Sequence, residues 1–197
     1  MSEYRNRYDY RTGLRSKPAS LVVEDGMLIA HEEGKQDTRW NLNDITKVNL
    51  RYDPTRFCRN RFKMMLQNKS GNDLTVSNVS FKGFADFDDQ SDLYRQFVEF
   101  LHTSLVAQGT DTRFQGGLSK MSYRLHWVLT GVAAVALVFA AVAFFALGLS
   151  WLILIKICLI AFYLPTLLAF MRRGRPTSYE ADAIPDQLLP VRVLQQD

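Results

Sequence analysis

Residues 125–147 read LHWVLTGVAAVALVFAAVAFFAL, and residues 149–170 read LSWLILIKICLIAFYLPTLLAF. The first run contains no Asp, Glu, Lys or Arg, and the second only Lys156. A helix rises about 1.5 Å per residue, so roughly 20 apolar residues cross a hydrocarbon core of about 30 Å. A core helix of a globular domain rarely stays apolar around its whole circumference for six turns. The reading is therefore a transmembrane α-helical hairpin over 125–170, turning at Gly148-Leu149-Ser150. Lys120 and Arg124 before the first run, and Arg172, Arg173 and Arg175 after the second, predict cytoplasmic termini. The expected localisation is the inner cell membrane, multi-pass, with the lipid bilayer as one partner. Lys156 is the intramembrane polar candidate. Its stem can snorkel to the surface or meet a partner subunit, and no intramembrane acid is present to pair with it.

The charge map agrees with that placement. Residues 1–118 carry 17 basic and 16 acidic side chains, a net of +1, whereas 119–175 carry six basic residues and no acid. Residues 176–197 come to −3. A basic excess confined to the flanks and interior of an apolar segment argues against nucleic acid as a partner. The N-terminal stretch has no apolar core and is not read as a secretory signal. Cys58 and Cys158 form no C-x-x-C motif, and the second lies within an apolar run, so neither a disulfide nor a metal site is expected.

Upstream, residues 20–82 alternate with period two between turn signals. Leu21–Val23 and Met27–Ile29 flank Glu24-Asp25-Gly26, a hairpin signal. Further strands are expected over Thr38–Leu42, Val48–Tyr52 and Phe62–Gln67, with Leu74, Val76, Val79 and Phe81 in a last one. The pattern then changes to a helix at about 90–108, where Leu93, Phe97, Leu101 and Leu105 recur every four residues. Asp88 or Asp89 is placed to cap it. Six or seven strands and one closing helix predict an α+β domain over 19–110: an antiparallel β-barrel or sandwich of PH-like plan, closed by one C-terminal helix. The rest divides into a basic Tyr/Arg-rich arm (1–18), a linker (111–124) and an extended cytoplasmic tail (171–197), broken by Pro185 and Pro190.

Several short motifs carry a more specific likeness. They are Trp40-Asn41-Leu42-Asn43-Asp44-Ile45, Arg51-Tyr52-Asp53-Pro54, Tyr94 through His102, the apolar hairpin, Arg172-Arg173, Ile184-Pro185 and Leu188-Leu189-Pro190. Together the chain resembles a family of small bacterial two-span membrane proteins with a PH-like cytoplasmic domain. That family is itself uncharacterised. The resemblance implies the fold above and brings no activity.

Catalytic constellations are not visible. His31, His102 and His126 fall in different elements, with no H-E-x-x-H pair, nucleophile elbow, phosphate loop or dinucleotide fingerprint. His102, next to core Leu101, reads as a surface or rim residue. Asp86, Asp88, Asp89 and Asp92 lack the spacing and glycine of a calcium loop. The chain is expected not to be an enzyme and to use no cofactor. Contact candidates are the basic segment Arg51, Arg56, Phe57, Arg59, Arg61 and Lys63, the Tyr/Arg arm, and a tail that docks through Ile184, Leu188 and Leu189. The first functional expectation is a non-enzymatic, membrane-anchored PH-like module that recruits or stabilises a protein partner at the cytoplasmic membrane face, such as an accessory subunit of another membrane protein or membrane complex. Alternatives are a sensor of anionic lipid headgroups and a small oligomeric channel or transporter around Lys156.

Overall fold

Alternating tyrosines start the first sheet. In β1 (Arg7–Tyr10), Tyr8 and Tyr10 are buried while Arg7 and Asp9 face out. β2 (Ala19–Glu24), β3 (Met27–Glu32) and β4 (Thr38–Asn41) follow it, antiparallel throughout, in the order β1-β2-β3-β4. The β2–β3 turn runs through Asp25 (φ 48°) and Gly26 (φ 73°), the double positive φ that a two-residue hairpin demands. The computed structural model describes residues 6–13, 16–55, 58–83, 86–146 and 175–191. The chain divides into two compact units: Met1–Gly117 with Thr177–Asp197, and Leu118–Pro176.

A single 3-10 turn, Leu42–Asp44, leads from β4 into the second sheet. β5 (Ile45–Tyr52), β6 (Phe62–Asn68) and β7 (Asp73–Ser77) pair antiparallel. Val48, Leu50, Met64, Leu66 and Val76 are fully buried on its inner face. β8 (Val79–Gly83) and β9 (Asp86–Asp89) form a separate two-stranded ribbon.

The pattern from Leu74 to Phe81 predicts one strand, and the structure splits it at Asn78. That residue is fully buried. Its Oδ1 accepts from the Phe62 N–H at 2.7 Å, and its Nδ2 donates to Asn60 O and Ser91 Oγ, each at 2.9 Å. A buried amide with its hydrogen bonds met from three directions makes a corner, since continuing the ladder would leave it unsatisfied.

α1 (Ser91–Ala107) buries Tyr94, Phe97, Val98, Leu101, His102 and Leu105 along one stripe. The N-cap is Gln90, without a side-chain cap bond, so neither expected acid takes that position; Asp89, one residue earlier, accepts the Ser91 N–H through Oδ1 at 3.0 Å. Gly109 (φ 63°) ends it, with Thr110 N–H reaching back to Leu105 O.

The closing-helix plan is corrected at this point. α1 is not the last element of the domain, and a PH-like fold is not shown. β10 (Arg113–Gly116), expected as linker, inserts beside β5 in parallel. β11 (Thr177–Ser178) then pairs antiparallel with β10, giving the order β11-β10-β5-β6-β7. The physical reason is Phe114 and Gly116, which alternate inward. Gly116 is bare because Leu188 lies against it, and an added Cβ would collide with Leu188 Cδ1. Leu188 and Leu189 are 1% and 2% exposed. The α+β character stands, with mainly antiparallel sheets and α1 set between β9 and β10.

The transmembrane hairpin is corrected as well. Among the described residues no helix is long and apolar enough to cross a membrane. That finding overturns the expected multi-pass inner-membrane localisation and the topology built on it. A hairpin needs two such helices. α2 (Lys120–Ala146) opens on Lys120, Ser122, Tyr123, Arg124 and His126, so its uninterrupted apolar part is shorter than the helix. The second expected span, with Lys156 and Pro165, lies outside the described residues.

Two outcomes test these contacts. Asn78→Ala strands the Phe62 N–H and removes the donor to the Asn60 carbonyl and the Ser91 hydroxyl, and should cost about 2–4 kcal/mol, read from the urea midpoint. Gly116→Val should cost about 1–3 kcal/mol by overpacking. Added to Leu188→Ala it should cost less than in the wild type, as a double-mutant cycle would show.

Candidate interaction surfaces

The basic segment is dispersed when folded. Arg51 lies one residue before the end of β5, and Lys63, the second residue of β6, is directly opposite it. Lys63 is engaged by Asp53 at 2.6 Å, with its side chain 19% exposed. The loop between them is tied down by two backbone bonds, Asp53 N–H to Arg61 O and Thr55 N–H to Cys58 O, and by the Tyr52 hydroxyl donating to Arg59 O at 2.7 Å. Arg59 is exposed and Arg61 half-buried. Burial raises the Cys58 thiol above its usual range, which makes it a poor nucleophile. Arg56 and Phe57 lie outside the described residues.

The Tyr/Arg arm supplies a sheet strand. Tyr8 stacks near Tyr10 and Phe97 and donates to Ser77 O at 2.7 Å. Arg7 pairs with Asp9, and Arg11 Nε donates to Ser16 O. Tyr4, Arg5 and Arg15 lie outside the described residues. The tail candidates dock on their own domain: Ile184 packs against the core that takes in Leu188 and Leu189. Arg95 fastens them, donating to Asp186 Oδ1 at 2.8 Å, Pro190 O at 3.1 Å and Glu99 Oε1 at 3.0 Å.

His102 is buried, against the rim position expected for it. Nδ1 faces Val98 O at 2.7 Å and therefore carries the proton, which leaves Nε2 to accept from Tyr179 Oη at 3.0 Å. The ring also lies 4.9 Å from Phe114, so one imidazole joins α1, β10 and the returning tail. Burial drives its pKa down to about 4, against a weaker opposing pull from the Val98 carbonyl. A histidine neutral throughout the physiological range, with both nitrogens occupied, is a structural bracket. The His126 side chain lies outside the described part of α2. Among the described residues no group of His, Cys, Asp or Glu is arranged to hold a metal ion.

Period-two alternation puts Lys47, Asn49 and Arg51 on the face of β5 opposite to Val48 and Leu50. The register then brings Arg113 beside Lys47 and Gln115 beside Asn49. Like charges thus lie across strands twice, at Arg113/Lys47 and at Arg51/Lys63. Only the second pair has an acid, Asp53. No ion pair among the described residues holds Lys47, Arg51 or Arg113. The strand alternation already implied half of this face, but Lys47 was not singled out. Arg113 had no signal, because nothing local announces a parallel partner for β5.

A cleft of about 490 Å³ opens between β1–β3 and β8, lined by Tyr10, Arg11, Ser20, His31, Phe81 and Gln90 among others. Its charges are mixed and largely committed: Arg7 to Asp9, and His31 to Asp37 at 2.6 Å.

No protein-family model matches the chain, and no curated protein matches its sequence. No activity comes to it through kinship.

The pH dependence follows from His102. An unfolded histidine titrates near 6.5 and the folded one about 4, so between those values the unfolded state binds the extra proton. Stability should be fully present above pH 6.5 and fall by roughly 3 kcal/mol as pH drops towards 4. His102→Gln should flatten that limb in denaturant midpoints measured across the range.

Proposed function

We propose that this chain is a non-enzymatic adaptor that recruits or stabilises a protein partner. The observation that supports the reading is the apolar surface of α2. Val128, Val132, Val135 and Phe139, one stripe of the helix, are 61%, 61%, 57% and 72% exposed, and Leu125, Val138 and Val142 are also more than half exposed. Contiguous apolar surface of this extent is rarely left uncovered and marks a site of association. At about 25 cal/mol per Å² of apolar area removed from water, covering a few such side chains contributes several kcal/mol to association. The cover is an apolar surface on a partner protein. The remaining chemistry fits a binding role: the buried histidine is occupied, and the buried tyrosines are held above their usual pKa by burial.

A photo-crosslinking side chain at Val135 of the full-length protein, irradiated in its native cells, should give one discrete protein adduct. Phe139→Glu should remove it while the melting midpoint of the β-rich unit stays put. Recovery of the uncrosslinked chain alone would count against the reading.

A further inference from the structure

We propose that the outer face of the five-stranded sheet binds an extended acidic segment of a partner protein, with carboxylates on Lys47, Arg113 and Arg51. This rests on the adaptor reading and specifies the chemistry of what is recruited.

The argument begins with a cost. Like charges directly opposite each other on neighbouring strands destabilise a sheet. Arg113 and Lys47 are such neighbours, and no described acid lies within ion-pair distance of either. Arg51 and Lys63 repeat the arrangement, with Asp53 neutralising only Lys63. An arrangement that weakens the free protein is relieved by an anion arriving from outside.

Spacing selects the anion. Lys47 and Arg51 are four residues apart on one strand, roughly 13 Å, and Arg113 is one strand over, roughly 5 Å away. An extended peptide with acids on one face repeats at the same interval, so it meets both cations of β5 at once. Between them lies the half-buried amide of Gln115, able to donate to and accept from a peptide backbone, while its register neighbour Asn49 is buried beneath the flanking side chains.

Other anions fit less well. The aromatic residues of these strands, Tyr52, Phe62 and Phe114, point to the opposite face, which leaves no platform on which unpaired bases stack. The strand N–H groups are spent on ladder bonds, so no nest of free amides cups a phosphate headgroup. Complementary charge across an interface raises association rates and sets register, which suits a recruiting surface.

The test uses full-length protein and a fluorescein-labelled synthetic peptide of alternating Glu and Ser, followed by anisotropy at low and high salt. A peptide with Gln in place of Glu, vesicles of anionic phospholipid and a single-stranded oligonucleotide compete in parallel. The acidic peptide should bind in a salt-sensitive way, and Lys47→Glu and Arg113→Glu should each weaken it about tenfold or more. Lys47→Glu should at the same time raise the melting midpoint, because Arg113 gains an opposite charge. Absence of peptide binding, equal binding by Lys47→Glu, or preference for vesicles or oligonucleotide would overturn the proposal. Val135→Glu should leave peptide binding unchanged. Loss of the Val135 adduct with peptide binding retained would therefore remove the apolar contact and not this one.

Discussion

A central strand must find hydrogen-bond partners on both of its edges, because a buried backbone N–H or C=O left unpaired costs as much as a lost bond. β5 is that strand. Val48 and Leu50 are fully buried, so its backbone has no recourse to water. β6 satisfies one edge as soon as the Asp53–Arg61 loop closes. The other edge waits for Arg113–Gly116, which arrives after the whole of α1. This delay explains why the domain does not end with its helix. It also explains why the returning segment is needed: once β10 is placed, Gly116 leaves a gap over the core that Leu188 fills, and Tyr179 reaches the free nitrogen of His102.

Local pattern made some of this visible in the sequence. The Asp25-Gly26 hairpin, the alternation of β5 and β6, and the four-residue recurrence along α1 are written in neighbouring residues, and a reader of the sequence finds them there. What escaped was non-local. Tyr8 and Tyr10 looked like a contact arm because the partners of Tyr8, Ser77 and Phe97, are about 70 to 90 positions away. Asn78 sat inside an apolar alternation and declared itself a corner only through Asn60, Phe62 and Ser91. Arg113 seemed to lie in a linker because parallel pairing leaves no turn signal beside it. The apolar runs were read as a hairpin from composition, which registers hydropathy and not where a helix begins. α2 begins on charged and polar residues at Lys120.

The charges of the outer sheet face separate two physical roles that composition merges. Arg95 is a cation in the service of the fold, with three acceptors and a side chain 15% exposed. Lys63 is in part the same, held by Asp53. Among the described residues no ion pair occupies Lys47, Arg51 or Arg113, and two of them face each other. Evolution tolerates a local conflict of this kind where function repays it, because stability beyond the threshold for folding is not itself selected. The five-cation segment that stands out in the sequence therefore contributes Arg51 and Lys63 to a face completed from elsewhere.

That face depends on the same closure as the core. Gly117 and Thr177, where the chain leaves the β-rich unit and returns to it, are held side by side by the pairing of Gly116 with Thr177 and of Gln115 with Ser178. Anything that strips β11 from β10 frees Tyr179 from His102 and exposes the edge strand that carries Arg113. Leu188 and Leu189 oppose this, since withdrawing them would bare the Gly116 gap and the stripe of α1. Arg95 adds a hydrogen-bonded clasp to Pro190 and Asp186 on the same segment. The geometry of the cation pair at Lys47 and Arg113 is thus set by residues more than 60 positions downstream. A surface built in this way keeps its register only while the tail stays seated.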